Sequence, residues 1–168
     1  MSISRKELIE LIGVTAVVGS LIFVGVQLSF DRQVALGDQY QRRAEIALAH
    51  QRSYLESESY MDLRIASWEA GNRPIWWNAS IEDSAPDYYD ARRFVTRLIL
   101  LTMQLIEFDY LHYQYQKGLI EGDYWQGSRR NLSALLTGNL AQALFLNQGR
   151  RSEFTQLLAE IVAEINEG

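Results

Sequence analysis

The sequence predicts an all-α protein, with an N-terminal transmembrane helix continuing into an extramembrane helical bundle of about four to five helices. Three observations predict it. Twenty consecutive residues, Leu11 to Phe30, carry no charge, and a helix of that length spans about 30 Å, the hydrocarbon thickness of a bilayer. Beyond Phe30 apolar residues recur at helical spacings, with neither a period-two strand pattern nor an internal repeat. The two prolines fall outside helix interiors, Pro74 in a connection and Pro86 at a helix start, and separated glycines read as helix ends.

Composition sets the outer bounds. A chain of 168 residues fits one ordinary domain plus one appended element, divided here as residues 1–30, tail and transmembrane helix, and 31–168, helical bundle. With 48% apolar and 22% charged residues it can bury a core. A net charge of −5 without a basic run argues against nucleic acid as a partner. There is no cysteine, so disulfides, thiolate metal sites and a cysteine nucleophile are excluded.

The first element runs LIGVTAVVGSLIFVGVQLSF between Glu10 and Asp31. A secretory signal would end in a small-x-small cleavage site, whereas this stretch leaves through Val26-Gln27-Leu28-Ser29-Phe30, so an uncleaved anchor is expected. A wholly buried helix of a soluble bundle is the alternative, because Gly13, Thr15, Gly19, Ser20, Gly25 and Gln27 dilute the hydrophobicity. Arg5, Lys6 and the terminal amine precede the span; Arg32, Arg42 and Arg43 follow it, which favours a cytoplasmic C-terminal domain. Gly13, Ala16, Ser20 and Gln27 form a stripe of small or polar groups along one side. Helices in lipid associate through close approach over small residues and through amide hydrogen bonds, so this stripe is a candidate packing face; small residues are also simply common in membrane helices.

From Asp31 to Tyr54 Gln, Ala, Arg and Leu favour helix. Phe30, Val34, Ala44, Leu48 and Leu55 fit a heptad, but Gln41 and Gln51 interrupt the seam, so an amphipathic bundle wall is preferred over a coiled coil. Ser57 to Ser59 loosens the helix, which resumes through Met61, Leu63, Ile65, Ala66 and Trp68 and ends at Gly71. The connection 71–85 contains Ile75-Trp76-Trp77. Trp76 and Trp77 either plug the bundle, lie at the headgroup level or meet a partner. Asn78-Ala79-Ser80 matches a glycosylation acceptor by a pattern short enough to recur by chance.

Ser84, Pro86 and Asp87 read as a helix start, with the helix running to about Lys117 and closed by Gly118. Its uncharged stretch, Leu98 to Ile106, is too short to cross a membrane and is expected to be the central helix, surrounded by the others. Asp123 reads as the next cap, ahead of an apolar face of Trp125, Leu132, Leu135 and Leu136. Gly138, Gly149 and Ser152 punctuate the remainder. The last helix presents Phe154, Leu157, Leu158, Ile161, Val162 and Ile165 on one face.

Reactive constellations are sparse. A di-iron bundle needs two Glu-x-x-His motifs, and none occurs. Asp109 and His112, with Glu107 nearby, could supply two metal ligands at most, and the milder expectation is a polar patch in which Glu107, if buried, pairs with an arginine such as Arg130. His50 reads as solvated. No nucleophile elbow, dinucleotide fingerprint or phosphate loop is present. Tyr110, Tyr113, Tyr115, Tyr124 and Trp125 could stack on a planar ligand, but such residues at helical spacing usually serve as core and rim.

Ile12 through Leu28, together with Glu107 to Tyr113 and Tyr115 to Gly118-Leu119-Ile120 and Trp125, resembles a broad group of uncharacterised proteobacterial membrane-anchored helical proteins. The match covers about a third of the chain and departs at Ser29-Phe30-Asp31-Arg32, where the group has a more basic run. The resemblance implies a bacterial inner-membrane location and a helical domain, and no activity. The expectation is therefore a non-enzymatic single-pass inner (plasma) membrane protein with no cofactor and no metal. Its partners would be the lipid bilayer and either copies of itself or the subunits of a membrane complex, to which it would be an accessory. The alternatives are a membrane-anchored ligand or signal sensor with an aromatic-lined pocket, and an enzyme using Glu107, Asp109 and His112.

Overall fold

A computed structural model describes residues 5–78, 81–82, 85 and 88–167. Among them the chain is all-α: α1 Arg5–Glu56, α2 Glu58–Glu69, α3 Ala91–Gln116, α4 Gly122–Leu135, α5 Asn139–Asn147 and α6 Ser152–Glu167. Two compact units divide at Gln39 and Tyr40. The uncharged stretch ends at Phe30, nine residues before this division.

Within the first unit α1 contains the uncharged stretch, and this is the one described helix long and apolar enough to cross a membrane. Its most apolar window has a mean hydropathy of 2.2, and none of that window is buried. Thr15 Oγ1 and Ser20 Oγ donate back to the carbonyls of Leu11 and Ala16, at 2.8 and 2.9 Å, so their hydroxyls are satisfied within the helix.

In the second unit α3 is the central element, packing against α2, α4, α5 and α6. Its buried face comprises Phe94, Val95, Ile99, Leu101, Leu105 and Ile106. Leu100 and Gln104 stay exposed, so the uncharged stretch is covered on most sides and not on all. Ala44 is buried, and Tyr54 and Leu55 pack on the core, which makes the C-terminal part of α1 a bundle wall. In α6 Phe154, Leu158 and Ile161 are buried while Leu157, Val162 and Ile165 pack around them, as the periodicity predicts.

Helix ends follow local chemistry. Ser57 leaves helical geometry and its hydroxyl accepts from the Tyr60 N–H, which separates α1 from α2. At the end of α2 the Asn72 N–H bonds the Ser67 carbonyl and the Gly71 N–H bonds that of Trp68. The end of α3 repeats this arrangement at Gly118 and Leu119. Both closures need positive φ, +81° at Gly71 and +67° at Gly118, which suits glycine.

One expected helix start falls outside the described residues, and one expected cap is displaced. Helix α3 starts at Ala91 behind Asp90, whose Oδ1 accepts from the Arg93 N–H at 3.0 Å; Ser84, Pro86 and Asp87 lie outside the described residues, as do Ala79 and Ser80 of the glycosylation pattern. Helix α4 starts at Gly122 after Glu121, without a side-chain cap. Asp123 sits inside the first turn, where its charge faces the positive helix end and its side chain does not cap.

Candidate functional site

The stripe Gly13, Ala16, Ser20 and Gln27 is exposed along its length. A methyl group added at Gly13, Gly19 or Gly25 would meet nothing within 4 Å. Glycine inside a helix is disfavoured by about 1 kcal/mol relative to alanine, so these positions are small without any need from the described packing of the chain. A shallow apolar groove lies over Gly13 between Val14, Val17 and Val18, with Glu10 at one end.

Trp76 and Trp77 part company. Trp77 is half-buried and turns onto the bundle, with its ring perpendicular to Trp68 at 4.9 Å and to Phe94 at 5.2 Å, and stacked on Tyr88 at 5.6 Å. Its Nε1–H donates to Glu82 Oε1 at 2.8 Å, and the Tyr88 hydroxyl donates to the same oxygen at 2.8 Å. These two donors, with the Arg73 guanidinium behind them, hold the Glu82 carboxyl below its usual range against a smaller desolvation effect. Arg73 lies 3.6 Å over the Trp68 ring centroid and donates to the Trp68 carbonyl and the Tyr88 hydroxyl. Trp76 is half-buried and lines a cleft, beside a fully exposed Ile75.

The polar patch anticipated on α3 takes a different form. Glu107 and Arg130 are both exposed and make no ion pair with each other among the described residues; the buried charge is Asp109, 5% exposed. One turn of helix carries Asp109 and His112 to the same side, where Arg151, just before α6, closes on them. Arg151 Nε donates to Asp109 Oδ1 at 2.9 Å, Nη2 to the Asp109 carbonyl at 3.0 Å and Nη1 to Gln116 Oε1 at 3.0 Å. The Tyr40 hydroxyl donates to the second carboxylate oxygen at 3.0 Å. Tyr40 stacks on Tyr113 at 4.2 Å, and the guanidinium lies 5.4 and 5.2 Å from the two ring centroids.

His112 is buried between Trp125 and Phe154, at 5.2 and 5.7 Å. Desolvation and the adjacent Arg151 charge push its pKa down, outweighing Asp109 and Glu153, which push it up. With each Asp109 oxygen accepting a bond and the guanidinium held on three nitrogens, the cluster acts as a clasp joining α1, α3 and the start of α6. No group of three metal-ligating side chains comes together among the described residues. Tyr115 stacks on Trp125 at 5.4 Å, Tyr110 meets Gln114, and Tyr124 is exposed, so the members of the aromatic series have different surroundings.

Sequence reasoning missed Arg151, Tyr40 and Arg73. Arg151 had one available signal, a basic residue at the entry to a strongly amphipathic helix, but nothing local identifies a partner on α3. No family model, curated protein or solved structure matches this chain.

Proposed function

We propose that the chain is a non-enzymatic single-pass protein of the bacterial inner membrane, with its C-terminal domain in the cytoplasm, that acts in assembly as a homo-oligomer or as an accessory subunit of a membrane complex. The observation that carries this reading is the apolar part of α1, which has no burial within the chain. Such a surface in water would be far larger than the patches soluble proteins leave open, and lipid is the solvent that suits it. The exposed stripe through Gly13, Ala16, Ser20 and Gln27 supports association in that solvent, because small residues permit close helix approach and Gln27 offers an amide to a neighbouring helix.

The test is the size of the full chain in mild detergent across a concentration series, for wild type and for Gly13→Leu with Ser20→Leu. A defined oligomer that persists without added ligand, and that the double variant shifts towards monomer, is the expected result. An oligomer of unchanged size in the variant removes the stripe as the interface. A monomer at every concentration, together with no copurifying subunit from the native membrane, removes the assembly role.

A further inference from the structure

A cleft of about 470 Å³ lies within the second unit, between α2, α3, the C-terminal part of α1 and the connection from α5 to α6. Its volume falls in the range that holds small organic ligands, roughly 300 to 1,000 Å³. Three arginines line it, Arg64, Arg73 and Arg150, and no aspartate or glutamate does. That is a marked local reversal in a chain with 21 acidic and 16 basic residues. Among the described residues no carboxylate lies within ion-pair distance of any of the three.

Their contacts are to neutral groups. Arg64 Nε donates to the Tyr60 hydroxyl at 3.0 Å, and Arg73 donates to the Trp68 carbonyl and the Tyr88 hydroxyl. Arg150 Nε is buried with no acceptor at all. Glu82, near Arg73, does not line the cleft and is held by Trp77 and Tyr88. Leu98 and Ile99 from α3 and the half-buried Trp76 contribute apolar lining to the same cleft. Guanidinium groups bind phosphate and carboxylate oxygens through planar paired donors, and an aromatic rim supplies apolar contact for the rest of a ligand.

We propose that this cleft binds a small organic anion, a phosphate ester or carboxylate gripped by Arg64, Arg73 and Arg150, with its apolar body against Trp76, Leu98 and Ile99. A free metabolite and an anionic lipid headgroup offer the same chemistry, and the experiment separates them. This proposal stands apart from the assembly role, since every lining residue belongs to the second unit and none to the stripe.

The full chain, reconstituted in phosphatidylcholine nanodiscs, is titrated by calorimetry with phenyl phosphate, phenylacetate, inorganic phosphate and phenol. The expected result is saturable binding of phenyl phosphate or phenylacetate, about tenfold tighter than inorganic phosphate or phenol and weakened by salt. Arg150→Gln should reduce that affinity about tenfold, and so should Arg64→Gln, whose exposed side chain can be changed without disturbing the core. Arg129→Gln, at a residue paired to Glu164 and outside the cleft, should leave it unchanged. Competition by phosphatidylglycerol added to the nanodisc supports the site with a headgroup as its occupant; absence of competition supports it with a soluble anion. The proposal is overturned if neither organic anion binds saturably at millimolar concentration, or if phenol binds as tightly as they do. It is also overturned if both arginine variants, folded by circular dichroism, bind like wild type.

Discussion

Asp109 and Arg151 are 42 positions apart in the chain and meet at 2.9 Å, with the carboxylate buried and the guanidinium largely so. Removing one member of a buried pair leaves the other desolvated and unpaired, at a cost of about 3 to 5 kcal/mol, whereas removing both relieves the desolvation. Asp109→Ala should therefore lower bundle stability by about 3 kcal/mol, and Asp109→Leu with Arg151→Leu should lose less than the two single changes summed. Denaturant unfolding in detergent measures both, and a wild-type midpoint for Asp109→Ala would show that the clasp carries no stability. His112 adds a pH dependence. Its folded pKa lies below the ordinary 6.5, so the unfolded chain takes up the proton first as pH falls. Stability should be full above about pH 6.5, decline through the interval down to the depressed folded value, and level off below it. His112→Phe should flatten that decline, while Glu82 and Glu153, whose carboxyls are held low, act only in the more acidic carboxylate range. A melting temperature with the same slope between pH 7 and 5.5 in both proteins would exclude His112 as the source. The Asp109 and His112 pair was legible from its spacing, but which acid faced inward was not. Glu107 and Asp109 are two positions apart, about 200° around a helix, so burying one exposes the other, and only the packed neighbours decide which.

At the scale of elements, periodicity was most informative where one face meets a core and the other meets water. Helix α6 shows this, with each of its six predicted apolar positions on or beside the core. Phe154, in its first turn, is fully buried, so Phe154→Ala should cost about 3 to 5 kcal/mol in unfolding experiments, through lost burial and the cavity left behind. A loss under about 1 kcal/mol would mean that α6 docks loosely. The two closing glycines test backbone conformation alone, because a methyl group at Gly71 or Gly118 meets nothing within 4 Å. Gly71→Ala and Gly118→Ala should each destabilise by about 1 to 2 kcal/mol from the positive φ, an effect absent at Gly127, which has neither crowding nor positive φ. Helix starts were less legible than helix ends. Asp83, Ser84, Asp87 and Asp90 all offer cap chemistry within one short stretch. The start of α3 at Ala91 keeps Phe94 and Val95 on the buried face, a tertiary criterion that the cap residues do not carry. The arginine-lined cleft was invisible for a related reason, since Arg64, Arg73 and Arg150 belong to three separate segments and share no local pattern.

At the scale of the whole molecule, two kinds of apolar pattern occur in one chain, and they call for different solvents. The bundle helices alternate faces and bury one of them against α3, whereas the apolar part of α1 is uncharged all round and has none of its most apolar window buried. The propensities of single residues do not separate these cases. Ile46 and Leu63 are as exposed as Leu21 or Ile22, yet they lie in segments that carry charges close by, and single exposed apolar side chains on a surface are ordinary. Continuity over a full membrane thickness is what distinguishes the first segment. A charge at the centre of such a segment should therefore act very differently from a charge elsewhere. A lysine at mid-span is disfavoured by about 2.5 to 3.5 kcal/mol, so Val17→Lys with Leu21→Lys raises the insertion free energy by about 6 kcal/mol. The wild-type chain should float with vesicles through a density gradient and resist alkaline carbonate, and this double variant should do neither. Ile46→Lys with Leu63→Lys adds the same two charges outside the uncharged stretch and should leave flotation intact. Equal flotation by both variants would show that the association is electrostatic or indirect, and loss of flotation by both would place the decisive apolar surface outside the span.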